Sequence, residues 1–206
     1  MRLDPFYPIL QSSGWMRRLV PRGVRLVQLR IKSEDVGAVR KEIAESLEIC
    51  RQHDCLLIVN DHWRLAIELG CEAVHLGQED LDGADLEAIA EAGIGIGVST
   101  HSPDELDRAL SVRPHYVALG PIYPTVLKKM PWAPQGLERI AKWKSRTGAL
   151  PLVAIGGLNP ERARAALEHG ADIVSVVTDI TLNPKPERRL EKWLEITRPY
   201  RKRSNT

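Results

Sequence analysis

No run of this chain is apolar over the roughly 20 residues that a helix needs to span a bilayer. The opening Met1-Arg2-Leu3-Asp4-Pro5 lacks the apolar stretch of a signal peptide. An excess of one charge is also missing: 29 basic residues face 27 acidic ones, and a net charge of +2 argues against a nucleic-acid partner. Cysteine is scarce and odd in number. Cys50, Cys55 and Cys71 sit among apolar residues without metal-type spacing, so buried free thiols and a cytoplasmic setting are expected. No dinucleotide-type glycine fingerprint follows the first candidate strand. Linkers, repeats and low-complexity segments are absent too, so residues 1–206 read as one domain whose basic, aperiodic end (198–206) is expected to fray at the surface.

What the chain does have is alternation. Short β-branched runs at 6–10, 25–30, 56–60, 73–77, 94–99, 116–120, 152–156 and 173–177 are each followed by a polar or glycine-rich break and a helical pattern. Ser102-Pro103 is a helix start with proline near the first position. Eight such units in a domain-sized chain predict a compact (β/α)8 TIM barrel, since an open flavodoxin-like sheet needs only about five strands. At 206 residues the barrel is short against roughly 250, so its loops must be trimmed.

In such a barrel, chemistry gathers where the strands end. After the second run, Gln28, Arg30 and Lys32 share one face by alternation and bring two cations to the rim. Asp61 and Asp80 follow the third and fourth runs. Each alone reads as a helix N-cap, but as a pair beside Arg30 and Lys32 they read as holders of Mg²⁺, which takes one or two carboxylates plus phosphate oxygens. Glu79 is expected to be solvated. His75 has inward parity and reads equally as a core histidine or a ring-recognition residue. Ser99 is a candidate phosphate donor, because Ser102 already serves as the helix cap. The long proline-rich break after the sixth run suits a semi-rigid lid, with Thr125 and Lys128 as phosphate contacts. Gly156, Gly157, Val177 and Thr178 end the last two runs, where this fold commonly cradles phosphate on backbone N–H groups. Two anion sites therefore emerge, more than one monophosphate requires.

These motifs resemble the thiamine phosphate synthase (thiamine-phosphate pyrophosphorylase) family. The likeness rests on Gln28-Leu29-Arg30-Ile31-Lys32, Asn60-Asp61, His75 to Asp80, Gly97-Val98-Ser99-Thr100-His101, Gly120-Pro121-Ile122-Tyr123-Pro124-Thr125 with Lys128, Gln135-Gly136, and Val153 to Gly157. It implies a transferase that joins hydroxymethylpyrimidine diphosphate to hydroxyethylthiazole phosphate with Mg²⁺, releasing pyrophosphate by a dissociative displacement. Carried over, Asp61 and Asp80 bind the metal. Arg30, Lys32, Asn60, Ser99 and Lys128 hold the diphosphate. Gln28 and His75 line the pyrimidine pocket, and Thr125, Gly157, Val177 and Thr178 meet the thiazole phosphate. The family's Thr-x-Thr-Lys is here Thr125-Val126-Leu127-Lys128, which removes one hydrogen-bonding contact, and its following acidic residue is Met130. Two rivals stand beside the synthase: a thiazole tautomerase using His101 or His115 without metal, and a non-catalytic thiazole-phosphate-binding protein. Retention of Asp61, Asp80, Gly120 and Pro121 favours the synthase. No nucleic-acid or membrane partner is expected, and a homo-oligomer is left open.

Overall fold

The computed structural model describes residues 1–125 and 133–201. Its strands are β1 (Phe6–Leu10), β2 (Leu26–Leu29), β3 (Leu56–Asn60), β4 (Ala73–Leu76), β5 (Gly95–Thr100), β6 (Tyr116–Leu119), β7 (Leu152–Ile155) and β8 (Ile173–Val176). Each pairs in parallel with the next, and β8 returns to β1, closing the barrel. Every expected run is a strand, trimmed by one residue at some ends, and β5 runs one residue further, through Thr100. Arg30, Gly77, Gly120, Gly156 and Val177 therefore lie just beyond the strands, where a side chain or backbone group is free to turn into the mouth.

Short polar residues start the helices between them. Asp35 accepts from the Ala38 N–H at 3.1 Å and opens Val36–Gln52, Ser102 accepts from Glu105 at 3.2 Å and opens Pro103–Ser111, and Asn159 accepts from Arg162 at 2.9 Å and opens Pro160–Glu168. The larger core lies between strands and helices. There Trp193 stacks on Phe6 at 5.5 Å and donates Nε1–H to Asp179 at 2.8 Å, while Trp143 donates to Thr100 at 2.9 Å. A smaller core fills the barrel itself: Tyr7, Leu26, Ile58, Ala73, Tyr116, Ala118, Val153 and Ile173.

Cys50, Cys55 and Cys71 are free and buried. Among the described residues no helix is long and apolar enough to cross a membrane. The segment expected to fray starts in order: Arg198–Tyr200 is a 3-10 turn, and Arg201 Nε lies 2.8 Å from Asp4 Oδ2. Residues 202–206 lie outside the described chain.

Candidate active site

At the carboxyl ends of the strands a cavity of about 410 Å³ is lined by Gln28, Arg30, Asn60, Asp61, His75, Asp80 and Ser99, together with Tyr7, Gln78 and Ser175. Gln28 faces inward and is buried. Arg30 continues that parity one step past β2 and reaches the rim. Lys32 does not join them: it is exposed in the loop beyond and lines no part of this cavity. Alternation belongs to extended, paired backbone, and β2 ends at Leu29.

The acidic pair is brought together. Asp61 follows β3 with φ of 62°, a left-handed conformation that aspartate tolerates better than most residues. Its N–H donates to the His75 carbonyl at 3.0 Å, and its carboxylate accepts from the Asn60 amide. Asp80 opens the short helix Asp80–Gly83 and accepts from the Gly77 N–H at 3.1 Å. Neither aspartate caps a helix. Burial, reinforced by Asp80 within hydrogen-bonding reach, pushes the Asp61 carboxyl up to about 6, against the opposing pull of Arg30 and Asn60. Two crowded carboxylates are a donor set that could hold a hard divalent ion. Among the described residues no group of three or more acidic, histidine or cysteine side chains is placed to hold a metal ion. Glu79 is exposed.

Behind the carboxylates runs a set of polar side chains inside the barrel. Gln28 Nε2 is 2.7 Å from Tyr7 Oη, which is 2.8 Å from Tyr116 Oη. Tyr116 Oη is 2.8 Å from His75 Nδ1, and His75 Nε2 is 2.8 Å from Ser99 Oγ. His75 also stacks on Tyr116 at 5.6 Å. Burial first, then the Arg30 charge, push the imidazole down to about 4, so it is neutral near pH 7. His75 is thus neither an isolated core histidine nor a free ring.

A second cavity of about 200 Å³ abuts the first and is lined by Thr125, Gly156, Gly157, Val177 and Thr178. Ser99, His101, Ala118, Ile155 and Ser175 line both. Gly156 and Gly157 have φ of 100° and 63°. A Cβ at Gly156 would sit 2.6 Å from Pro121 Cα, and one at Gly157 2.4 Å from the Pro124 carbonyl oxygen. The glycines therefore let the segment after β6 settle onto the end of β7, and Arg162 ties it down by donating to the Gly157 carbonyl at 2.7 Å while lying over Tyr123. Ser175 is 1% exposed, and its hydroxyl has no hydrogen-bond partner among the described residues.

The profile of the thiamine monophosphate synthase family matches residues 10–180. The chain belongs to this family. A thiamine-phosphate synthase of Rhizobium etli is 58% identical over 201 residues, covering 98% of both chains. One of Neisseria meningitidis serogroup A is 47% identical over 182 residues, covering 88% of this chain and 89% of that one. Among solved structures, a thiamine phosphate pyrophosphorylase from Pyrococcus furiosus superposes with a TM-score of 0.83 at 25% identity, covering 95% of this chain and 96% of that one.

Thiamine monophosphate synthase relatives are transferases, and so is this chain. Of the residues that the family likeness singled out, Gln28, Arg30, Asn60, Asp61, His75, Asp80 and Ser99 converge on one cavity, and Thr125, Gly157, Val177 and Thr178 on the other. Lys128, with Leu127 and Met130, lies outside the described residues. Sequence reasoning missed Tyr7, Tyr116 and Ser175. Their inward parity on β1, β6 and β8 was the signal that would have found them.

Proposed function

We propose that this chain joins hydroxymethylpyrimidine diphosphate to hydroxyethylthiazole phosphate, giving thiamine phosphate and pyrophosphate. The observation that carries this reading is the pair of abutting cavities sharing Ser99, His101, Ala118, Ile155 and Ser175. A condensation of two phosphorylated rings needs two anion sites whose ring ends meet, and one monophosphate would leave half of this mouth unexplained.

The residues divide the work. Gln28 and His75 line the pyrimidine end. Arg30, Asn60 and Ser99 stand where the diphosphate would lie, with Lys32 and Lys128 assigned to the same group by family likeness. Thr125, Gly157, Val177 and Thr178 surround the thiazole phosphate. Magnesium held by Asp61 and Asp80 would neutralise charge on the departing diphosphate. In a dissociative displacement the carbon–oxygen bond breaks first, and its electron pair leaves on the diphosphate. The thiazole nitrogen then supplies the pair for the new carbon–nitrogen bond. No protein nucleophile is required. The barrel's part is to stabilise charge on the leaving group and to align two rings, and a preorganised donor of this kind lowers the barrier by about 3 kcal/mol.

The isomerase alternative has no use for the carboxylate pair. His115 lies at the opposite end of the barrel, beside Met1 and Pro151. His101 does stand at the seam, its Nδ1 held 2.8 Å from Glu105. Pyrophosphate assays separate the two reactions, since isomerisation releases none. Release that requires both substrates and Mg²⁺ supports the synthase; release without the thiazole phosphate, or none at all, contradicts it. Three buried free thiols support a cytoplasmic setting.

A further inference from the structure

Gln28, Tyr7, Tyr116, His75 and Ser99 form one unbroken line of hydrogen bonds across the inside of the barrel, with links of 2.7, 2.8, 2.8 and 2.8 Å. The two tyrosines have no part in the reaction as described above, yet both are almost fully buried at its centre. The direction of each link is assigned from the first, with the Gln28 amide placed so that Nε2 faces Tyr7. Gln28 Nε2 has only hydrogens to offer, so the Tyr7 oxygen accepts. Tyr7 carries a single hydrogen, and its remaining partner in the line is the Tyr116 oxygen. Tyr116, having accepted, gives its own hydrogen to His75 Nδ1, which must therefore be bare. With Nδ1 bare, the one hydrogen the ring carries on nitrogen sits on Nε2 and is donated to Ser99 Oγ. Ser99 has then accepted on its inner side, and its hydrogen is left for the cavity.

We infer that Tyr7 and Tyr116 are positioning residues that fix His75 as the Nε2–H tautomer and thereby commit the Ser99 hydroxyl to donate to the substrate, at an oxygen of the diphosphate. Links in such a line polarise one another, so the terminal donor is set before the substrate arrives. Reversed polarity would spend the Ser99 hydrogen on His75 and present lone pairs to an anion. The identity of the acceptor rests on the synthase reading; the tautomer does not.

Nitrogen NMR of the imidazoles in the substrate-free protein at neutral pH tests this directly, with the His75 signals assigned by their loss in His75→Gln. The expected ring has a protonated Nε2 and a bare Nδ1. In Tyr116→Phe the single-tautomer preference should disappear. Its kcat should fall about tenfold, the worth of roughly one hydrogen bond, while KM for both substrates stays within about twofold. If Tyr116→Phe does not fold, Tyr7→Phe carries the test and should show a smaller shift in the same direction. A wild-type ring protonated on Nδ1, or a tautomer unmoved in the folded variant, overturns the inference. An Nε2–H ring in a protein that forms no thiamine phosphate upholds the relay and overturns the synthase reading instead.

Discussion

Gly97 and Tyr116 are register partners on β5 and β6, and the tyrosine ring fills the volume that a side chain at position 97 would need. A Cβ built on Gly97 would lie 2.0 Å from Tyr116 Cζ and 2.4 Å from its hydroxyl oxygen. The glycine is what admits an aromatic ring to the barrel interior, and that ring carries the hydroxyl which meets both Tyr7 and His75.

Gly97→Ala should therefore displace Tyr116, strand buried polar groups and overpack the interior. We expect a stability loss of about 3 kcal/mol or more in chemical denaturation. A loss below about 0.5 kcal/mol would show that the ring is not held there.

His75 makes stability depend on pH. Its ordinary value of 6.5 in the unfolded chain falls to about 4 in the folded one, so the unfolded state binds more protons between those values. The contribution is complete above pH 6.5 and declines as pH falls towards 4, by about 3 kcal/mol in all. Asp61, raised to about 6, acts in the opposite sense as pH falls. The difference between wild type and His75→Gln isolates the histidine: wild type should lose ground against the variant from pH 6.5 down to 4. Parallel denaturation curves across that range would contradict the buried, neutral ring.

Asp61→Asn keeps a residue that tolerates a φ of 62° and removes one of two crowded carboxylates. Stability at pH 8 should be unchanged or higher, while Mg²⁺-dependent turnover falls by about 100-fold or more. Turnover equal to wild type would remove Asp61 from the metal assignment.

Much of this site was legible before any coordinates. All eight strands showed in β-branched runs, because parallel strands buried on both faces carry that signature. Gln28, Arg30, Asp61 and Asp80 were singled out because polar residues at strand ends stand out in a barrel, and they line one cavity. Lys32 stands apart from Gln28 and Arg30, exposed in the loop beyond β2, because alternation does not extend past paired backbone. Tyr7 and Tyr116 were overlooked for a different reason. An aromatic residue in an apolar run reads as packing; inward parity places both rings inside the barrel, and the structure adds that their hydroxyls meet there. Ser175 was hidden in the same way within β8.

The Ser175 hydroxyl has no partner among the described residues and borders both cavities. Ser175→Ala removes an unsatisfied group, so stability should hold or rise by about 1 kcal/mol. If the hydroxyl serves a ligand, KM for one substrate should rise about fivefold. A clear loss of stability would mean that the hydroxyl has a protein role instead.

The central claim is that two adjoining anion sites serve one condensation. Incubating the purified protein with hydroxymethylpyrimidine diphosphate, hydroxyethylthiazole phosphate and Mg²⁺, then quantifying product, tests it most directly. The account predicts thiamine phosphate and pyrophosphate in equal amounts, each dependent on both substrates. Tight binding of the thiazole phosphate with no thiamine phosphate formed would contradict it.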